Sequence, residues 1–308
     1  MEIFLNILII TGSIIFLWGG AVWVVESASL IAKKLGLSEL VIGLTVVAIA
    51  TSSPEFAVSI TAALKGQSSI SVGNVIGSNI FNLGIILGIV AIFKSVDTNR
   101  QIIYRDGFLL FAATILLLVF FSDFRLSFTE GALLFATLIV YIVTLIKQKQ
   151  KIDDEIPEGE FKWYDIPKLA AGVAFIIFAA DYLVFGASNI ARMFGVSDWM
   201  IGITIVAAGT SVPELATSMV ALAKGRHGIS IGNLIGSDLF NVFGVLGVAA
   251  MLRPLSIMQN EYTSIILMLV NVLIILFFMR TGWQIKRHEA VILILIAFLR
   301  WFWDLFNY

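Results

Sequence analysis

Two stretches of this chain, ATSSPEFAVS from Ala50 and GTSVPELATS from Gly209, set hydroxyls, a proline and a glutamate into otherwise apolar sequence. At helical spacing Thr51, Glu55 and Ser59 share one face, as do Thr210, Glu214 and Ser218. Further along, Asn74, Ser78 and Asn82 recur at the same spacing, and so do Asn233, Ser237 and Asn241. Proline has no N–H, so Pro54 deprives the Ala50 carbonyl of its helical partner and pushes Ser53 away from helical geometry. Pro213 acts in the same way on Gly209 and Val212. Carboxylates, hydroxyls, amide oxygens and loosened carbonyls, without imidazole or thiolate, form a donor set for hard cations such as Ca²⁺ and Na⁺.

The acids deep in apolar sequence are Glu26, Glu55, Asp181, Glu214 and Asp238, and the sequence offers no Lys or Arg at comparable depth to pair with them. Charge at bilayer depth is costly and marks ion pathways, so the simplest missing partner is a bound cation. The alternative is a pair of protonated glutamates that hydrogen-bond between helices. Glu26 and Asp181 are not equivalent to each other in the repeat described below, and each fits either an aqueous vestibule or local polar packing. Gly73 with Gly77, and Gly232 with Gly236, form small-residue faces expected to let helices approach closely. His227 and His288 fall at expected loop positions and read as solvated.

The elements that carry these residues are spans. Of 308 residues 59% are hydrophobic and 13% charged, against about 45–50% and about 25% in soluble domains. Apolar runs lie near 3–31, 38–65, 70–93, 104–121, 127–147, 166–191, 197–223, 229–252, 260–280 and 288–307. Most reach the roughly 20 residues a helix needs to cross a bilayer. The first lacks a basic leader and is too long for a cleaved signal peptide. With no cysteine, neither a disulfide nor a thiolate-bound metal is available, and a net charge of −1 gives no sign of nucleic-acid binding. With the N-terminus outside, 15 Lys and Arg fall in cytoplasmic joints and 5 outside, so both termini are expected outside the cell membrane. Trp301, Trp303 and Tyr308 read as an interfacial anchor.

A shift of 159 residues lays GLTVVAIATSSPEFAVS on GITIVAAGTSVPELATS without a gap, and ISVGNVIGSNIFN on ISIGNLIGSDLFN. About half of the positions from Gly43 to Gly88 recur identically. Five spans separate equivalent points, and an odd number of crossings reverses direction, so the copies run oppositely through the membrane. The expected fold is an all-α membrane protein of ten transmembrane helices in two inverted five-helix repeats, 1–148 and 166–308, joined by a cytoplasmic linker over 149–165. Inverted repeats that meet near the midplane are an architecture of secondary transporters.

ATSSPE, GTSVPE, GNVIGSNIFN and GNLIGSDLFN resemble the paired repeats of sodium/calcium exchangers, in the cation/calcium antiporter superfamily. The resemblance covers essentially the whole chain and is to the compact prokaryotic type. It implies Ca²⁺/Na⁺ antiport by alternating access, with spans 1 and 6 sliding across spans 2, 3, 7 and 8. By motif position Glu55 and Glu214 are the central Ca²⁺ ligands and take part in flanking Na⁺ sites. Thr51, Ser52, Ser78, Thr210, Ser211 and Ser237 add hydroxyl or carbonyl oxygens. Ala48 and Ala207 supply backbone carbonyls to outer Na⁺ sites, and Asn82 and Asn241 fill the remaining central polar positions. Some relatives carry aspartate where this chain has Asn241, which in potassium-dependent exchangers goes with K⁺ use, so Asn241 argues against K⁺ coupling. The acid here is Asp238, where the first copy has Asn79; it either reaches a similar helix face or bonds a neighbouring helix. Ala50 in place of Gly209 is expected to stiffen one kink.

The expected ions are Ca²⁺ and Na⁺ as transported substrates, with no organic cofactor. The expected partners are the lipid bilayer and the transported cations, with no nucleic acid and no obligatory protein partner evident. H⁺/Ca²⁺ exchange on the same scaffold is the alternative, although proton-coupled relatives carry a Gly-Asn-Ala-Thr-Glu pattern. A cation channel is a further reading. No nucleophile–base pair or His-bound metal points to an enzyme.

Overall fold

The computed structural model describes residues 2–148, 159–196, 201, 205 and 207–307. Hydrocarbon offers backbone groups no partner, so apolar runs close their own N–H and C=O groups as helices. These are α1 (Glu2–Leu35), α2 (Glu39–Thr51), α3 (Ser53–Leu64), α4 (Ser68–Phe93), α5 (Ile102–Asp123) and α6 (Phe128–Lys147). They continue as α7 (Asp165–Met193), α8 (Val212–Ala223), α9 (His227–Leu252), α10 (Gln259–Arg280) and α11 (Arg287–Asn307). Among the described residues seven helices are long and apolar enough to cross a membrane, or eight if the pair α2–α3, bent by 50°, is one span. The expected linker at 149–158, the start of the 197–223 span at 197–200, 202–204 and 206, and Tyr308 lie outside the described residues, as do the side chains of Trp301 and Trp303.

The helices pack as two compact units, Met1–Pro54 with Gln148–Asn233, and Glu55–Lys147 with Leu234–Tyr308. Each unit draws on both halves of the sequence, because a compact unit is defined by which side chains interdigitate and not by chain order.

In the first unit α1 runs against α7 and α8. Ala21, Val24, Val25 and Ala28 of α1 are buried with Ile176, Ala179 and Ala180 of α7 and Val220 and Ala221 of α8. Small residues bring the backbones together. A Cβ added to Gly20 would lie 2.9 Å from the Gly172 carbonyl oxygen, and one added to Gly172 would lie 2.8 Å from that of Gly20. Gly20→Ala is therefore expected to destabilise the purified protein by about 1–3 kcal/mol. Gly19→Ala, whose Cβ would meet nothing within 4 Å, should be nearly neutral. Thermal unfolding in detergent reads both, and equal losses would refute the close crossing.

Of the small-residue faces expected from sequence, Gly232 does meet backbone, with an added Cβ 2.7 Å from the Leu40 carbonyl oxygen. Gly73 and Gly77 do not: both are exposed, and an added Cβ would meet nothing within 4 Å. A glycine permits close approach only where a helix crosses at that rotation, which its spacing cannot specify.

In the second unit α6 meets α9 through Gly131, whose added Cβ would sit 2.8 Å from the Gly247 carbonyl oxygen. Buried Asp106 ties α5 to α6, accepting from Arg105 Nε at 2.7 Å and from the Tyr141 hydroxyl at 2.8 Å. Two short antiparallel ribbons clasp helix ends: β1 (Val96–Asp97) with β4 (Gln284–Ile285), and β2 (Arg125–Leu126) with β3 (Leu255–Ser256).

Candidate functional site

The two proline-containing joints set the local geometry. The break falls on Ser52 (φ −81°, ψ 11°) and on Ser211 (φ −91°, ψ 4°). That is one residue earlier than the expected Ser53 and Val212, and the reason is steric. Proline fits the first turn of a helix, where its missing N–H would have no intrahelical partner. Ser53–Pro54 and Val212–Pro213 thus open α3 and α8, and the preceding serine becomes the joint.

The first unit holds Ala48, Thr51, Ser52, Thr210, Ser211 and Glu214 of the expected site, together with the backbone of Ala207. Ser52 Oγ donates to Glu214 Oε1 at 2.8 Å, and Thr51 Oγ1 donates to Asn233 Oδ1 at 3.0 Å. Asn233 Nδ2 donates to the Glu214 carbonyl at 3.3 Å and to Ser218 Oγ at 3.0 Å. Ala48, Thr51, Ser52, Ser211, Glu214, Ser218 and Asn233 are all buried, whereas Thr210 is half-buried.

The second unit holds Glu55, Ser78, Asn82, Ser237, Asp238 and Asn241, all buried. Asn74 Nδ2 donates to the Glu55 carbonyl at 3.2 Å and to Ser59 Oγ at 2.9 Å, the same wiring as Asn233 with Glu214 and Ser218. Asn82 Nδ2 donates to Asp238 Oδ1 at 3.0 Å. Its equivalent, Asn241 Nδ2, donates to Asn79 Oδ1 at 3.0 Å, while Asn79 Nδ2 donates to the Asp238 carbonyl at 3.1 Å. Asp238 thus bonds a neighbouring helix and anchors an amide of the expected set. Each Asn amide spends its N–H on a partner and presents its oxygen elsewhere. Asn82 Oδ1, Asn241 Oδ1 and Ser78 Oγ are buried and make no hydrogen bond within the described structure. Buried acceptors are ordinarily satisfied, so such atoms call for an explanation.

Some expectations fail. Glu26 is not an unpaired deep acid: it bonds Lys168 Nζ and Lys224 Nζ, each at 2.8 Å, and its side chain is 39% exposed. The two lysines reach it from α7 and the end of α8, over a distance in sequence that hides the pairing. Asp181 lies on an exposed face of α7. His227 and His288 stand in the first turns of α9 and α11 and not in loops. Ser71 and Ser230 went unnoticed in the sequence, although they occupy equivalent positions; they accept through their carbonyls from Ser59 and Ser218. Among the described residues no group of three His, Cys, Asp or Glu side chains is placed to hold a metal.

The family model described as "Sodium/calcium exchanger protein" matches residues 5–147 and 167–303. The chain is similar to "Sodium/calcium exchanger MaX1" of Methanosarcina acetivorans, 35% identical over 96% of this chain and 97% of that one. It is also similar to "Putative antiporter CaxA" of Alkalimonas amylolytica, 35% identical over 98% of each chain. Among solved structures it resembles the sodium-calcium exchanger NCX_Mj in crystals soaked with 2.5 mM Na⁺ and 0.1 mM Ca²⁺, with a TM-score of 0.84 and 28% identity over 96% of this chain and 97% of that chain.

Proposed function

The chain belongs to the sodium/calcium exchanger family of cation antiporters, and on that premise we propose that it exchanges Ca²⁺ for Na⁺ by alternating access. It is an integral, multi-pass membrane transporter and not an enzyme. The observation that carries the finer reading is the buried, oxygen-only donor set, with Ser78 Oγ, Asn82 Oδ1 and Asn241 Oδ1 lacking a hydrogen-bond donor. Ca²⁺ takes about 6–8 oxygens in flexible arrangements, and few carboxylates among many neutral oxygens suit an ion that must leave again.

In this reading Glu55 and Glu214 supply the charge. Hydroxyl or carbonyl oxygens come from Thr51, Ser52, Ser78, Thr210, Ser211 and Ser237, amide oxygens from Asn82 and Asn241, and carbonyls from Ala48 and Ala207. The ten-span, inverted-repeat architecture and outside termini belong to the same proposal. The ribbons support it: Val96 opposite Ile285 and Asp97 opposite Gln284, shifted by 159 residues, become Leu255 opposite Leu126 and Ser256 opposite Arg125. Because the chain has no cysteine, single cysteines introduced at Lys162 and Arg125 can be labelled by an impermeant maleimide, and they should react from opposite sides.

Asp238 is assigned to positioning. Asn79 shows that an amide oxygen can accept the hydrogen bond that orients the opposite asparagine. Asp238→Asn should therefore keep apparent Ca²⁺ affinity within a few-fold, whereas Asp238→Ala should weaken it clearly. Equal impairment of the two in transport assays would make Asp238 a charged ligand instead.

The test of the coupling ion is radiolabelled Ca²⁺ uptake into proteoliposomes under imposed Na⁺, K⁺ or H⁺ gradients. Na⁺ should drive uptake and, on the side where Ca²⁺ binds, weaken its apparent affinity, because shared ligands in a poorly solvated site do not support excess positive charge. Uptake that ignores Na⁺ and follows the proton gradient would establish H⁺/Ca²⁺ exchange.

A further inference from the structure

The two ribbons of the second unit act as an internal control on each other. They have equivalent registers, so whatever differs between them is not needed to form the clasp. The β1–β4 ribbon is ringed by Lys94, Arg280, Lys286 and Arg287. Shifted by 159 residues, the same positions around β2–β3 are Arg253, Phe121, Ser127 and Phe128. Arg125 on β2 stands where β4 has Gln284, so the β1–β4 ribbon carries four cations against two, Arg125 and Arg253, at a clasp that forms with equivalent register.

Within the described residues these cations are not neutralised locally. Among the described residues none of the four is in an ion pair with a carboxylate. Of the nearby acids, buried Glu289 is occupied by the Thr281 hydroxyl and the Lys286 backbone N–H, and Asp106 by Arg105 and Tyr141. Asp97 on β1 is exposed.

Arg280 is held in place. Its Nε donates to the Tyr104 hydroxyl at 2.9 Å, and its guanidinium lies 4.6 Å from the centre of the Trp283 ring. Stacking and the Nε bond leave the two terminal nitrogens to face an acceptor as a fork, the geometry that suits a phosphate. Trp283 is fixed in turn, at φ 58°, with its carbonyl accepting from Thr98 N–H at 2.9 Å. Lys286 reaches over the same turn, since a Cβ on Gly282 would lie 3.6 Å from its Nζ. Arg287 Nη2 lies 3.5 Å from the Phe93 carbonyl oxygen, next to Lys94. Phe93 and Phe277, both 65% exposed, flank the cations with apolar surface.

We propose that the β1–β4 ribbon binds the phosphodiester headgroup of an anionic membrane lipid, with Arg280 gripping the phosphate and Lys286 adding a second charge. The aromatic pair Tyr104 and Trp283 is of the kind that settles where hydrocarbon meets headgroups. The exposed Phe93 and Phe277 suit acyl chains, which a free phosphate does not have. Basic sites beside helix ends are a known means of recognising anionic headgroups.

The test is the Tm of the purified full-length protein in neutral detergent with added phosphatidylglycerol, phosphatidylcholine or sodium phosphate. Phosphatidylglycerol should raise Tm by several degrees and phosphatidylcholine should not. The double variant Arg280→Gln, Lys286→Gln should lose most of that shift, while Arg125→Gln with Arg253→Gln at the other ribbon should keep it. Should the double variant not fold, Lys286→Gln alone, whose ammonium makes no hydrogen bond among the described residues, is expected to reduce the shift. An equal shift with phosphatidylcholine, or a full shift in the Arg280 and Lys286 variants, overturns the proposal. A shift reproduced by sodium phosphate assigns the ribbon to the free ion and overturns the lipid reading.

Discussion

Replacing Glu214 or Glu55 by glutamine is expected to abolish measurable Ca²⁺ transport while the protein stays folded. Folding should survive because the local bonds do not need the charge. Ser52 Oγ meets Glu214 Oε1 at 2.8 Å, and an amide oxygen in that place still accepts it. Asn74 and Asn233 bond the backbone carbonyls of Glu55 and Glu214, which the substitution leaves intact. On the proposed assignment, what is lost is a negative charge facing a divalent ion. At an effective dielectric near 20, two unit charges about 4 Å apart interact by roughly 4 kcal/mol. That corresponds to about a thousandfold in affinity before the ion's double charge is counted. Radiolabelled Ca²⁺ flux in proteoliposomes, paired with thermal unfolding, measures both halves of the expectation. Near-normal flux in both single variants would refute the assignment of the two glutamates.

The second large effect is expected at Asn241. Its Nδ2 donates to Asn79 Oδ1 at 3.0 Å, and Asn79 cannot simply flip, because its own Nδ2 already serves the Asp238 carbonyl at 3.1 Å. Asn241→Asp sets a carboxylate oxygen against that amide oxygen in a buried site, three residues from Asp238. An ionised aspartate there faces an acceptor and lies near another acid, so it should either take up a proton and donate to Asn79 or recruit a monovalent cation. Ca²⁺ transport by Asn241→Asp should therefore stay close to the parent at low pH and depart from it as pH or K⁺ is raised. Asn241→Ser, which removes the amide without adding charge, should show neither dependence. Identical behaviour of the two variants across pH and K⁺ titrations would place Asn241 outside the ion's surroundings.

Much of this protein was legible in its sequence, for reasons that are local. Twenty consecutive apolar residues must hydrogen-bond to themselves in hydrocarbon, so helices such as α4, α5, α6 and α10 lie close to the apolar runs. A proline lacks the N–H that a continuing helix needs, and the joints at Ser52 and Ser211 follow to within one residue. The i, i+4 spacing of Asn74, Ser78 and Asn82 made them candidates for one face, and all three do lie on α4. Family membership was legible too, because the motifs are contiguous and occur twice.

What only the tertiary structure decided depends on helix rotation and on partners far away in the chain. Glu26 looked unpaired because Lys168 and Lys224 lie 142 and 198 residues beyond it. Gly20 and Gly172 turned out to be a close crossing, while Gly73 and Gly77 did not, since a glycine acquires that role only when another backbone passes over it. The asymmetry between Asn79 and Asp238 was visible as a substitution, but its meaning was not. Both residues accept from an asparagine on the opposite helix, at 3.0 Å in each case, and only the packing of α4 against α9 brings those partners within reach. Hydropathy and spacing act along one chain segment at a time, whereas a hydrogen bond between segments needs both of them fixed in space.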